Sequence, residues 1–166
     1  MLKLNDKVMY GSTGVCTVER IEEKEISREV KTYYVLKPVS QNSSTVFLPA
    51  DNEKLLSKVR KVLSKEEISC IICELKNAED IWVDSDAERR VAFSEIISSG
   101  DRKKSMLLLK SLMNRRADLM TKGKRLHIAD ERALKEAGRL SYDEMSEALG
   151  LSVAEAEEYF KRELIG

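Results

Sequence analysis

Thr45-Val46-Phe47-Leu48-Pro49 is the last extended run in this 166-residue chain, and Pro49 is the second of its two prolines. Upstream of it, β-branched and aromatic runs alternate with turn residues. Downstream, 117 residues pass without a proline, and apolar positions recur at helical spacing. The change of regime near residues 50–63 marks a domain boundary, with strands before it and helices after it.

Working back from Pro49, Ser40-Gln41-Asn42-Ser43-Ser44 reads as a turn cluster, and Lys31-Thr32-Tyr33-Tyr34-Val35-Leu36-Lys37-Pro38 as a strand stopped by proline. The polar run Glu22 to Glu29 reads as a loop or hairpin tip. Before it, Val15-Cys16-Thr17-Val18-Glu19-Arg20-Ile21 is extended in character, and Gly11-Ser12-Thr13-Gly14 supplies a turn after Lys7-Val8-Met9-Tyr10. Strands at this spacing predict a small barrel-like sheet. Its final stretch, Ser44 to Pro49, offers an edge, and edges pair with other chains unless blocked.

Working forward, Asn52 to Val62 reads as a short connecting helix. Ser64-Lys65-Glu66-Glu67 has the form of a capping box and opens a helix toward Leu75. Asp84 is placed to cap the next helix, which buries Val91, Phe93, Ile96 and Ile97 and ends at Ser99-Gly100. Asp101 caps a helix through Met120. In it Met106, Leu109, Met113, Ala117 and Met120 step by 3, 4, 4 and 3, a helical core stripe. Asp130 caps a helix to Leu149, with Gly150 at its C′ position. Ser152-Val153-Ala154-Glu155 is a second capping box, opening a terminal helix with Tyr159, Phe160 and Leu164. The expected fold is α+β: a small β module at 1–52, a connecting segment at 53–63 and an all-α domain at 64–166. Aromatics make up only 5% of the chain, so its core must rest on aliphatic residues, as a helical domain allows.

Formal net charge is zero, but the charge is unevenly placed. Residues 89–125 hold eleven basic and three acidic residues, while 61–88 and 126–166 are each net −5. A local excess of this kind attracts polyanions within a Debye length of about 8 Å. Lys104, Arg115 and Lys122 are 11 and 7 residues apart, near one helical face, with Lys103 and Lys110 beside it. Arg89-Arg90 and Lys122, Lys124 and Arg125 extend the patch. Such residues make phosphate contacts, which position a protein on DNA without reading sequence. Trp82, the sole tryptophan, lies between two helices and reads either as a core contact or as an interaction wedge.

Enzyme chemistry finds little support. No phosphate-binding loop, dinucleotide fingerprint, nucleophile elbow or metalloprotease motif is present. Cys70 and Cys73 form C-x-x-C, but no second Cys/His pair follows as zinc would need. Among Ile68, Ile71, Ile72 and Leu75 they read as small core residues. His127, the only histidine, reads as a surface or capping residue. A metal or redox role for these three is the least favoured class. An odd count of three cysteines fits a reducing compartment. No apolar run reaches membrane-spanning length, and Met1 to Asp6 lacks the apolar core of a signal peptide, so a cytoplasmic location and no membrane are expected.

Asp6-Lys7-Val8-Met9-Tyr10 through Gly14-Val15, then Tyr33-Tyr34-Val35-Leu36, then Thr45 to Asn52, in that order and spacing, resembles the CarD/CdnL-like transcription regulators. Their N-terminal module is shared with the transcription-repair coupling factor. Ser99-Gly100-Asp101 and Gly123-Lys124-Arg125-Leu126 carry the resemblance over nearly the whole chain. It implies a Tudor-like β module that docks on the N-terminal lobe of the RNA polymerase β subunit. It implies a helical domain that contacts promoter DNA at the upstream edge of the melted region and modulates the open complex. The basic stretch itself points to contact largely through the phosphate backbone, and a monomer without cofactor is expected. Polymerase contact then falls on Lys24, Thr45, Val46, Phe47 and Leu48, and DNA contact on Trp82, Arg89, Arg90, Lys104, Arg115, Lys122, Lys124 and Arg125.

The chain departs from the family pattern twice. Phe47 stands where well-known members have a basic residue, which trades an ion pair for apolar contact. The family's wedge tryptophan, counted back from Ser99-Gly100-Asp101, falls near Asp86, so Trp82 lies one turn early. A second reading keeps the β module as a protein-interaction adaptor that never touches DNA.

Overall fold

A computed structural model describes residues 1–40 and 44–165, which divide into two compact units, Met1–Val62 and Leu63–Gly166. Gln41, Asn42 and Ser43, the centre of the expected turn cluster, lie outside the described residues.

The first unit is built on β1 (Lys7–Tyr10), β2 (Gly14–Ile26), β3 (Glu29–Pro38), β4 (Val46–Pro49) and β5 (Val59–Lys61), with a four-residue helix α1 (Glu53–Leu56) before the last strand. They form one antiparallel sheet in the order β4-β3-β2-β1-β5. Val8, Cys16, Val18, Tyr34, Leu36 and Leu48 make its core. A register shift between Val18 and Arg20 marks a bulge, which re-aims the residues that follow. Gly11 and Gly14, with φ of 47° and 94°, take the left-handed positions in the β1–β2 connection.

Two expectations are corrected here. The run Glu22 to Glu29 is mostly strand: β2 continues to Ile26, and only Ser27 and Arg28 form the tip, both at positive φ as a tight two-residue hairpin requires. Beyond Ile21 the hairpin has little core to cover, so polar side chains suffice and the apolar alternation fades. The connecting helix expected at Asn52–Val62 is instead α1, capped by the Asn52 side chain, followed by β5. Val8 lies opposite Lys61, so these residues belong to the sheet.

The second unit packs α2 (Lys65–Lys76), α3 (Asp86–Ser99), α4 (Arg102–Thr121), α5 (Ile128–Leu149) and α6 (Val153–Leu164) around Phe93, Leu108, Leu112, Met145 and Phe160. Both capping boxes form, at Ser64/Glu67 and Ser152/Glu155, and Asp101 caps α4. Gly100 and Gly150 end their helices in the left-handed conformation. A Cβ at Gly138 would crowd the Tyr142 ring one turn on in α5, at 3.2 Å, while Leu109 of α4 would stand at ordinary contact distance, 3.7 Å.

Several side chains stand elsewhere than expected. Ser85 rather than Asp84 caps α3, and Val91 is exposed. Cys70 and Cys73 are exposed because α2 buries Ile68, Ile72 and Leu75, which turns positions 70 and 73 outward. Asp130 does not cap α5; it is buried in the helix's first turn. Lys110 is buried too. Its Nζ donates to the carbonyls of Leu75 and Ala78 at 3.0 and 2.8 Å, satisfying the C-terminal end of α2. Lys103 pairs with Glu74. The stripe along α4 is core only as far as Met113: Met106, Leu109 and Met113 are buried, whereas Ala117 is exposed and Met120 is 66% exposed.

Candidate docking edge and nucleic-acid interface

Within the first unit, β4 is an edge strand, paired with β3. The pleat sends alternate residues to opposite faces. Leu48 is fully buried and Val46 packs half-buried on the same core, so their side chains are withdrawn from any docking surface and only their backbone is offered. Phe47 points to the other face and is 43% exposed, and Thr45 is exposed just ahead of the strand. From β2, Lys24 reaches across β3 and places its Nζ 3.9 Å from the Phe47 ring centroid. The same Nζ lies 3.1 Å from Glu22 Oε1, while Arg20 Nε donates to Glu22 Oε2 at 3.0 Å. The hydrogen bonds from Arg20 and then Lys24 hold the Glu22 carboxyl below the usual carboxylate range. Lys24 and Phe47, 23 residues apart, therefore form one patch with a cation over an aromatic face.

Within the second unit, Trp82 sits in the segment between α2 and α3. It is half-buried, edge-on to Phe93 with ring centroids 6.2 Å apart. The guanidinium carbons of Arg89 and Arg115 each lie 4.4 Å from its ring centroid. The two arginines differ in freedom. Arg89 is buried and uses all five N–H donors: Nε and Nη2 donate to the two carboxylate oxygens of Asp130, both at 2.9 Å; Nη2 also donates to Asp86; and Nη1 donates to the carbonyls of Val83 and Asp84. That bidentate pair clasps the Trp82 segment to the start of α5. The expectation that Arg89 meets phosphate is corrected, because reaching out would leave a buried Asp130 carboxylate unpaired. The hydrogen bond from Arg89 also holds the Asp86 carboxyl below its usual range, and His127 Nδ1 lies 3.4 Å from that carboxylate's other oxygen.

Arg115 is exposed, as are Arg90, Lys104, Lys122, Lys124 and Arg125. Lys122 lies 3.1 Å from Asp118, an exposed i,i+4 pair of the weak kind that a phosphate can displace. Lys104, Arg115 and Lys122 follow one strip along α4 that is roughly 27 Å long at 1.5 Å per residue. The contacts thus bring together Trp82, Arg89 and Arg115; Arg90 stands on α3, and the remaining cations lie along α4 and the α4–α5 connection. Among the described residues, no group of three His, Cys, Asp or Glu side chains is placed to hold a metal ion.

Residues 2–62 match the family CarD-like/TRCF RID domain, and those bounds coincide with the first compact unit to within one residue. The first unit is similar to CarD-like/TRCF RID domains. Over a longer span the chain is similar to "Putative transcription factor YdeB" of Bacillus subtilis (strain 168), with 24% identity over 159 residues that cover 92% of this chain and 95% of that protein.

The matched unit includes β5, which is why the match runs past the boundary expected at residue 52. Sequence reasoning also missed the charge alternation on its outer face. Arg20, Glu22 and Lys24 recur every second residue along β2, the period of one face of a strand, and that spacing was the available signal. In the helical unit the missed residues are Arg132 and Lys135, basic positions inside an acidic stretch that share one face of α5 with Ile128.

Proposed function

We propose that the protein is a non-enzymatic transcription regulator that docks its RID domain on the N-terminal lobe of the bacterial RNA polymerase β subunit and contacts promoter DNA with its helical unit. The observation that carries this reading is the Lys24–Phe47 patch beside the β4 edge, in a domain that matches the RID family. An edge strand gives a partner main-chain hydrogen bonds, and the aromatic patch next to it gives side-chain selectivity. Thr45 and Phe47 contribute side chains to that surface; Val46 and Leu48 contribute backbone.

On the DNA side, Arg90, Lys104, Arg115, Lys122, Lys124 and Arg125 meet phosphates, and Trp82 offers an apolar face to a distorted base step. Arg89 acts from behind, holding the segment that carries Trp82. Weak DNA contact suffices, because docking on polymerase raises the effective concentration of the helical unit at the promoter. No covalent step is needed. A regulator that binds the open complex better than the closed one by about 1.4 kcal/mol shifts their ratio about tenfold.

The test is calorimetric titration of the full chain with the isolated N-terminal lobe of the cognate β subunit. Saturable binding that is lost in Phe47→Glu and kept in Arg115→Glu is the expected result. A folded chain that does not bind the lobe would overturn the polymerase reading and leave an adaptor for some other protein.

A further inference from the structure

α4, α5 and α6 enclose an open groove that shares no residue with the contacts of Trp82. Two stretches of about 840 and 460 Å³ meet at Met113 and Arg116. Along α4 the groove runs from Leu109 to Met120, roughly 16 Å at 1.5 Å per residue. Its floor continues the core stripe of α4 past the point where other helices cover it. Met120 on α4, Ile128 at the start of α5 and Val153 at the start of α6 all stand exposed along it, Ile128 at 74%. Unbranched methionine adapts to differently shaped apolar partners.

The rim is basic. Seven basic side chains line the groove against three acidic ones, although residues 63–166 as a whole carry 18 basic and 21 acidic residues. Basic side chains thus outnumber acidic ones along this apolar groove of a net-negative unit, and although Arg139, Lys161 and Arg162 are paired with glutamates, Arg116, Arg125, Arg132 and Lys135 keep the excess positive. Arg116, Arg125, Arg132 and Lys135 flank the exposed apolar floor. A single nucleic-acid strand would need exposed aromatic faces for its bases. The aromatic residue in the lining is Tyr142, which is buried with its hydroxyl donating to Met113 Sδ at 3.7 Å.

We propose that this groove receives an acidic amphipathic helix of a partner protein, about three turns long, as the length of the groove along α4 allows. Apolar residues at i, i+3 or i+4 and i+7 lie on Met120, Ile128 and Val153. Carboxylates on the flanks of that helix meet Arg116, Arg132 and Lys135. The inference concerns other residues than the polymerase edge and stands whether or not that edge binds polymerase.

The experiment is fluorescence anisotropy of the full chain with a labelled synthetic three-turn peptide, leucines along one face and glutamates elsewhere, beside a scrambled peptide of the same composition. Saturable binding is expected, with the scrambled peptide, Ile128→Glu, Met120→Glu and Arg132→Glu each weaker by about tenfold. Phe47→Glu and Arg115→Glu should bind as the parent does. Ile128 and Met120 are exposed, so the variants keep the fold, which circular dichroism checks. Equal binding of both peptides, or indifference to Ile128→Glu and Met120→Glu, would overturn the proposal. So would displacement by a single-stranded oligonucleotide at lower concentration than by unlabelled peptide. A dimer in sedimentation that Met120→Glu dissolves would mean that a second copy, not an acidic partner, fills the groove.

Discussion

Arg115 lays its guanidinium 4.4 Å from the centre of the Trp82 ring. Arg89 stands at the same distance, yet every donor it has is committed to Asp130, Asp86 and two carbonyls. One arginine is therefore available to a phosphate and the other is part of the frame. Arg115→Ala should lower affinity for a promoter duplex and reduce the salt slope by about 0.9, the loss of one phosphate contact. The emission of Trp82, the only tryptophan, should shift to the red as the ring loses its cover. An unchanged slope would remove Arg115 from the interface.

Arg89→Ala acts differently. It leaves the Asp130 carboxylate buried without its partner, so urea denaturation should show a loss of about 3–5 kcal/mol. Replacing both partners with apolar residues, Arg89→Met with Asp130→Leu, should recover most of that stability. DNA binding by a chain that is still folded should weaken with no change in salt slope, because the Trp82 segment is displaced while the phosphate contacts remain.

Lys24 and Phe47 should count as a pair in binding the polymerase lobe. Lys24→Met and Phe47→Leu, made singly and together, should show a coupling of about 0.5–1 kcal/mol, the range for an exposed cation over an aromatic ring. Strictly additive losses would mean that the partner separates the two side chains.

Acid should loosen the helical unit at two helix starts. Backbone hydrogen bonds from Ser64 and Ser152 hold the Glu67 and Glu155 carboxyls below the usual range. A carboxyl lowered on folding adds stability that is complete above its unfolded pKa and is lost as pH falls through its lower folded value. Denaturation midpoints of the full chain should therefore fall as pH drops below about 4, the ordinary glutamate range. Glu67→Gln with Glu155→Gln should flatten that part of the profile.

What could be read in advance was local. The two capping boxes need only residues three apart, Gly100 and Gly150 need only their own conformation, and the passage from strands to helices at Pro49 is written in proline and in period. What could not be read depends on distant partners. Arg89 looks like any surface arginine until Asp130, 41 residues away, is brought to it. Val59-Arg60-Lys61 has too little apolar character to announce a strand; it becomes one because β1 is there to pair with it. Met120 continues the helical stripe faithfully, but a stripe says which way a residue faces and not whether anything lies opposite.

The pairing of β1 with β5 puts the start of the first unit beside its finish, with Val8 across from Lys61. A module whose entrance and exit are neighbours can be spliced into a larger polypeptide, or joined to a different companion, while its own sheet stays intact. Such a domain is portable, and the helical unit that follows it here is one of the cargoes its geometry permits.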